Sequence, residues 1–183
     1  MKRYVAFVLF IAAISFAANQ PKATFAKTFD GDLTTAEKEI VSLAEAMPED
    51  TYNFAPSSGE FTGVRTFALQ MRHIATVNHE VSAAILGEKN PAETGKNENG
   101  PDSLDNKTAI VKFLKDSFAH AHKAVNSITA KNVLGEVKSP FGDGQMANRA
   151  SLATILTWHS FDHYGQAVVY ARMNGIIPPA SRH

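Results

Sequence analysis

His159 and His163, near the end of the chain, are spaced so that both could hold one metal ion. In an α-helix, side chains four residues apart lie one turn above each other on the same face. The surrounding residues Leu152, Leu156 and Tyr170 belong to a repeat of threes and fours that is typical of an inward-facing helix side. A buried imidazole needs partners for both ring nitrogens. A metal ion on one nitrogen and a hydrogen-bond acceptor on the other would supply them.

Spacing alone leaves two interpretations of this pair open. Two core histidines can also be satisfied by hydrogen bonds, without any ion. A third ligand would come from another helix, where the candidates are His73, His79, His120 and His122. His73 and His79 are six residues apart, about 600° of helical turn, so they project in different directions and cannot both serve one ion.

The stretch HSFDHYGQAVVYARMNGIIPPAS, which begins at His159, resembles the last-helix signature of the DinB-like superfamily. In that signature an HxxxH is followed by Tyr-Gly-Gln, an apolar run, Tyr-x-Arg and Asn-Gly-Ile-x-Pro-Pro, and nearly every element is present. The second-helix pattern of the family, a histidine followed by Ile-Ala, matches His73-Ile74-Ala75. The resemblance runs from roughly Thr35 to Ser181, which is most of the chain.

This resemblance implies an all-α fold, a four-helix bundle, with one divalent metal ion held by three histidines. Two of the ligands come from the last helix of the family and one from the second, which implies His73, His159 and His163 here. His79, His120 and His122 are not ligands on this interpretation. Similar proteins include thiol-dependent transferases and isomerases, and others described as metal-dependent hydrolases.

Three neutral imidazoles without a thiolate suit Zn²⁺, Ni²⁺, Fe²⁺ or Mn²⁺. Three protein ligands leave coordination positions open, so a bound ion could activate water near neutral pH or accept a thiolate substrate. We expect a metal-dependent hydrolase acting on a small molecule. The alternatives are a thiol-dependent transferase or isomerase, and a non-catalytic bundle stabilised by its ion that dimerises. Asp162, Glu80 and Tyr170 are candidates for a general base, and no catalytic residue is assigned.

Residues 1–17 have the pattern of a signal peptide: Lys2 and Arg3, then an apolar run of about a dozen residues, then small residues. The run is shorter than the roughly 20 residues that span a bilayer, so no permanent membrane anchor is expected. The mature protein should begin near Ala18 and be exported, to a bacterial periplasm or the medium. A thiol cofactor from the cytosol would not be reliably available there, which favours the hydrolase over the transferase.

Charge and cysteine content exclude several classes of function. The 18 Lys and Arg residues balance 18 Asp and Glu residues, and no long run of either sign occurs. Such a neutral chain has no electrostatic footprint for nucleic acid. Without cysteine the chain can form no disulfide and has no thiol nucleophile of its own, so its stability must come from a hydrophobic core.

The sequence predicts one domain over residues 33–181, preceded by a disordered lead-in over residues 18–32. Periodic apolar residues, capping signals and helix-stopping residues predict four helices: Thr35–Met47, Thr62–Leu86, Lys107–Ile128 and Gln145–Asn174. Residues 131–144 are predicted to be a loop. The polar connection from Gly87 to Asn106 is long enough for a crossover between the second and third helices.

Overall fold

Four α-helices, three short 3₁₀ helices and one two-stranded sheet make up the structure, a computed structural model that describes residues 23–182. The helices are α1 (Phe25–Ala46), α2 (Phe67–Leu86), α3 (Lys107–Asn126) and α4 (Arg149–Met173). Strands β1 (Glu136–Lys138) and β2 (Met146–Asn148) pair antiparallel between α3 and α4. The predicted all-α four-helix bundle is confirmed. The sheet is a minor addition, and β1 lies in the segment predicted to be a loop.

The helices are not arranged in sequence order around the bundle. α2 packs against α3 and α4, and α1 packs against the same two helices from the other side. α2 and α3 run in the same direction, because Asn78 contacts Ser117 and Glu88 contacts Lys123. Residues 87–106 therefore return along the bundle as the long crossover that the sequence predicts.

α2 is enclosed on all sides. Sixteen of its twenty residues are buried, which is more than the apolar stripe of a surface helix can account for. The crossover covers the side that α3 and α4 leave open, and Arg72 Nη2 fixes it by donating to the carbonyl oxygens of Gly100 (3.1 Å) and Pro101 (2.7 Å). Polar side chains on that side of α2 therefore face a loop, whose backbone carbonyls can accept hydrogen bonds from them.

Each helix begins at a short polar side chain that accepts a hydrogen bond from the backbone N–H three residues later, namely Thr24, Thr66, Asn106 and Asn148. These caps place the starts of α2 and α4 a few residues after the predicted starts at Thr62 and Gln145. α2 ends at Gly87, as predicted, because its φ of 70° is a left-handed conformation that glycine adopts without strain.

α1 begins well before its predicted start at Thr35. The prediction that residues 18–32 are a disordered lead-in is wrong for residues 25–32, which are helical. Thr34 does not cap a helix start, because its hydroxyl donates to the carbonyl of Asp30 one turn earlier (2.7 Å). The Asp30 carboxylate in turn accepts from His122 Nδ1 on α3 (2.7 Å), and this tertiary contact favours the longer helix.

The predicted signal peptide, residues 1–17, and the predicted cleavage point before Ala18 lie outside the described residues. Export therefore stays a prediction. Over residues 23–182, none of the helices combines the length and the apolar character needed to cross a bilayer.

Candidate metal centre

His73 on α2 and His159 and His163 on α4 meet at one point between the two helices. One ring nitrogen of each lies within 4.8 Å of those of the other two. The Nε2 atoms of His73 and His159 are 3.1 Å apart, and the ring centroids of the three pairs are 4.6 to 5.0 Å apart. The structure therefore brings together the three residues that the sequence analysis named as ligands. That they bind a metal ion stays a prediction.

The outer nitrogens of two of these rings have fixed hydrogen-bond partners. His73 Nδ1 lies 2.9 Å from the backbone carbonyl oxygen of Glu98, in the crossover. His163 Nδ1 lies 2.6 Å from Gln70 Oε1, and the amide nitrogen of Gln70 donates to Gln166. Both partners are acceptors, so each Nδ1 must carry the hydrogen. The Nε2 atoms of His73 and His163 then carry no hydrogen, and each presents a lone pair.

Two imidazole lone pairs in one buried cluster repel each other unless a cation or a donor lies between them. His159 Nε2 can donate one hydrogen to His73, and one hydrogen cannot satisfy both lone pairs. His159 Nδ1 is buried and has no hydrogen-bond partner among the described residues. A divalent cation bound by all three rings satisfies the inward lone pairs together, and this orientation of the rings by outer acceptors is typical of metal-binding histidines.

The three imidazoles are neutral at physiological pH, which is the form that binds metal. Burial lowers the pKa of His159 to about 3 and that of His163 to about 4, and it also lowers the pKa of His73. The positive charge of the Arg65 guanidinium lowers the pKa of all three further. Protons therefore compete poorly with a metal ion for this cluster.

Gln70 and the Glu98 carbonyl are functional groups that the sequence analysis missed. Gln70 lies three residues before His73 on α2, a spacing that places both on one helix face, so a polar residue there was a usable signal. The Glu98 contact is made by the backbone. No residue type encodes it, and only the path of the crossover reveals it.

Replacing Gln70 by leucine should weaken Zn²⁺ binding by about 10- to 100-fold, the usual effect of removing an outer partner of a ligand. Leucine is similar in size but has no acceptor, so the Nδ1–H of His163 would lose its partner in a buried position. Competition with a chromophoric chelator would measure the Kd. Gln166→Leu is the matched control, because Gln166 makes no hydrogen bond to His163 among the described residues and its loss should have a much smaller effect. An unchanged Kd in Gln70→Leu would contradict this role.

The other histidines lie away from this centre. His79 Nδ1 is 3.1 Å from His120 Nδ1, and His120 Nε2 is 2.9 Å from a Glu88 carboxylate oxygen. His122 lies between the carboxylates of Asp30 and Glu37 (2.7 and 3.1 Å). These contacts link α2 to α3 and α3 to α1. His79 is buried, in the contact between α2 and α3.

His79 should make stability depend on pH. Burial, and then the positive charge of His120, lowers the pKa of His79 to about 4, below the value of about 6.5 in the unfolded chain. The unfolded chain therefore binds the proton more tightly, and stability should fall as pH drops from about 6.5 to about 4. Over this pH range we expect the free energy of unfolding to fall by on the order of 2 kcal/mol because of His79. Thermal unfolding of metal-free wild type and His79→Phe at pH 7.5 and 4.5 would measure it, and equal losses of Tm in both would contradict it.

Comparison with known proteins gives a family and a set of similar folds. The family described as the DinB superfamily matches residues 32–167. A DinB-like protein from Bacillus cereus has a similar structure, with a TM-score of 0.66 and 17% identity over 85% of this chain and 96% of that one. For a DinB-like protein from Bacillus subtilis the TM-score is 0.61 and the identity 16%, over 85% of this chain and 99% of that one. No curated protein matches the chain.

Proposed function

The chain belongs to the DinB superfamily, and on this premise we propose a function for its histidine cluster. The protein binds one divalent metal ion through His73, His159 and His163. It uses that ion as a metal-dependent hydrolase of a small-molecule substrate.

The observation that carries the proposal is the orientation of the rings. The Glu98 carbonyl and the Gln70 side chain hold the hydrogens of His73 and His163 on their outer nitrogens, which leaves lone pairs on the Nε2 atoms. One nitrogen of each of the three rings lies within 4.8 Å of those of the other two. A cluster satisfied by hydrogen bonds alone would instead alternate donors and acceptors. The arrangement therefore favours metal ligation over the interpretation of these residues as ordinary core histidines.

The set of ligands supports a catalytic ion. When bound, Zn²⁺, Ni²⁺, Fe²⁺ or Mn²⁺ supplies Lewis acidity that polarises a substrate oxygen and makes water a stronger nucleophile near neutral pH. Three protein ligands are the number found in catalytic zinc sites, because they leave a position for water or substrate. His159 is partly exposed, so the cluster lies near the surface of the bundle.

Among the candidate bases, Glu80 has the most suitable titration. Burial, and then the negative charge of Glu98, raises the pKa of Glu80 to about 7, so it can gain or lose a proton at neutral pH. Asp162 is exposed and accepts from Gln166 (3.3 Å). Tyr170 donates its hydroxyl hydrogen to the Arg65 carbonyl (3.2 Å), so its oxygen is committed to a structural contact. Glu80 lies seven residues after His73 on α2, two turns along the same helix face, and it is the residue that we propose for proton transfer.

A substrate screen tests the hydrolase. Metal analysis of the purified protein identifies the ion, and the loaded protein is then assayed against a panel of esters, amides and lactones. We expect turnover of at least one class in wild type and only background turnover in His163→Ala. Glu80→Gln should lower kcat while leaving metal content intact. Turnover of none of the classes by fully loaded wild type would contradict the proposal.

A non-catalytic role for the ion is the second candidate, and the cavities favour it. A cavity of about 700 Å³ is lined mainly by the end of α2 and residues 137–140, and one of about 520 Å³ lies beside Tyr52 and Lys107. Neither is lined by the three histidines. In this second role the ion joins α2 to α4 and stabilises the bundle, and thermal unfolding after removal of the ion tests it.

We also propose that the protein is exported, on the support of residues 1–17. The basic start, short apolar run and small residues are the pattern of a cleaved signal peptide. Mass spectrometry of the protein recovered outside the cytoplasm should find a mature N-terminus near Ala18. An intact Met1 in the membrane fraction would instead show that residues 1–17 act as an anchor.

A further inference from the structure

Arg65 is a half-buried cation beside the histidine cluster, at the end of the loop that leads into α2. Its Nε donates to Asn99 Oδ1 (2.8 Å), and its Nη2 donates to the backbone carbonyl of Asn97 (2.9 Å). Its own carbonyl oxygen accepts from the Tyr170 hydroxyl on α4. The first two contacts hold the guanidinium in place, and the third fixes the backbone of Arg65. The guanidinium lies beside the cluster, because its partner Asn97 directly precedes Glu98, whose carbonyl oxygen accepts from His73 Nδ1.

The crossover residues that hold Arg65 also hold His73. Asn97 and Glu98 have φ values of 55° and 56°, a left-handed conformation that is uncommon for residues other than glycine. This backbone presents two successive carbonyls, with the oxygen of Asn97 on Arg65 and that of Glu98 on His73. Such strain is found where a local geometry is maintained for function. Here the same turn sets the position of a cation and of a candidate metal ligand.

The two hydrogen bonds of Arg65 use only one edge of its guanidinium. The edge formed by Nη1 and the second hydrogen of Nη2 donates to none of the described residues. Nη1 is not a fully buried atom, so a ligand can reach this edge. Two parallel N–H groups of this kind match the oxygens of a carboxylate or a phosphate. Burial lowers the pKa of Arg65, and the negative charge of the nearby Glu98 carboxylate partly offsets this effect. Arg65 and Glu98 form no salt bridge within residues 23–182.

We propose that Arg65 anchors an oxyanion group, a carboxylate or a phosphate, of the substrate that binds at the histidine cluster. This inference rests on the proposed metal function, since it takes the cluster as the reacting end of the site. The guanidinium binds one end of the substrate and orients the other end toward the histidines. The substrate class is therefore a small anionic molecule. Arg65 is a specificity-determining residue in this assignment.

Calorimetry with simple probes tests the anchor. The Zn²⁺ affinity of each protein is measured first, and the loaded protein is then titrated with benzoate, phenyl phosphate and the neutral analogue benzamide. Arg65→Gln should weaken binding of the preferred anion by about 10- to 100-fold, as expected for hydrogen bonds to a charged group. Benzamide binding and Zn²⁺ affinity should be nearly unchanged. The anion whose affinity falls more in Arg65→Gln identifies the group that Arg65 recognises.

Two further variants separate anchoring from a general charge effect or a folding defect. Arg172→Gln removes another arginine, one that binds Ser181 at the far end of α4, and should leave anion binding unchanged. Asn99→Ala keeps the guanidinium but removes its Nε partner, so it should weaken anion binding by an intermediate factor even if Arg65→Gln does not fold.

The inference is overturned if loaded wild type binds the anions no more tightly than benzamide. It is also overturned if Arg172→Gln weakens anion binding as much as Arg65→Gln does. A third contradicting result is that Arg65→Gln weakens the binding of benzoate, phenyl phosphate and benzamide equally. That result would mean that Arg65 is a structural support of the loop. Failure of wild type to bind Zn²⁺ in the first titration would instead contradict the proposed metal function itself, and this inference with it.

Discussion

Alanine at His73, His159 or His163 should each reduce divalent metal content from one equivalent to nearly none. Losing an outer partner of a ligand already weakens metal binding by about 10- to 100-fold, so losing a ligand should weaken it by more than about 100-fold. Two remaining imidazoles also leave the ion with too few protein ligands to compete with a chelator. Metal analysis after dialysis against a weak chelator, with protein concentration measured independently, would give the stoichiometry of each variant.

His79→Ala and His120→Ala are matched controls, because both remove an imidazole that lies between α2 and α3. They should keep a full equivalent of metal even if they lower stability. Circular dichroism of all five variants would show whether loss of metal accompanies loss of helix. If His73→Ala retained a full equivalent while His120→Ala lost it, the assignment of the third ligand to α2 would be wrong.

The sequence predicted the helices well where local signals were strong. The end of α2 at Gly87 and the start of α3 at Lys107 are close to prediction, because a left-handed glycine and a capping asparagine act locally. The start of α1 was misplaced because Thr34 and Glu37 imitate a capping box, whereas the Asp30 contact with α3 extends the helix. A tertiary contact of this kind cannot be deduced from a short window of sequence.

In the candidate site, too, the features with a local sequence signal were predicted and those that depend on tertiary contacts were not. Helical spacing placed His159 and His163 on one face, and a family resemblance was needed to choose His73 over His120 as the third member. The groups that orient the rings were not predicted. Gln70 had a spacing signal, whereas the Glu98 carbonyl and the position of Arg65 depend on the left-handed turn in the crossover. Backbone contacts and loop geometry carry no pattern of residue types.

Removing the ion should lower the melting temperature by several degrees and abolish any turnover. An ion present at about 100 times its Kd stabilises the folded state by about 2.7 kcal/mol. For a chain of this length that corresponds to a Tm shift of roughly 5 to 10 °C. The metal-free cluster would also retain lone pairs on the Nε2 atoms of His73 and His163, with only one hydrogen from His159 Nε2 to satisfy them. Thermal unfolding and hydrolase assays on the same samples, before and after chelation, would measure both effects.

Measuring Tm and turnover on the same samples shows whether the ion is catalytic or purely structural. A catalytic ion requires that turnover follow metal occupancy in proportion, fall to background with chelator and return when the ion is added back. A purely structural ion predicts the Tm loss without turnover on any substrate class at full occupancy. His163→Ala serves as the control for the chelator, because a protein that binds no ion should show no further change in Tm. A chelator effect of equal size in that variant would mean that the reagent, and not the ion, is responsible.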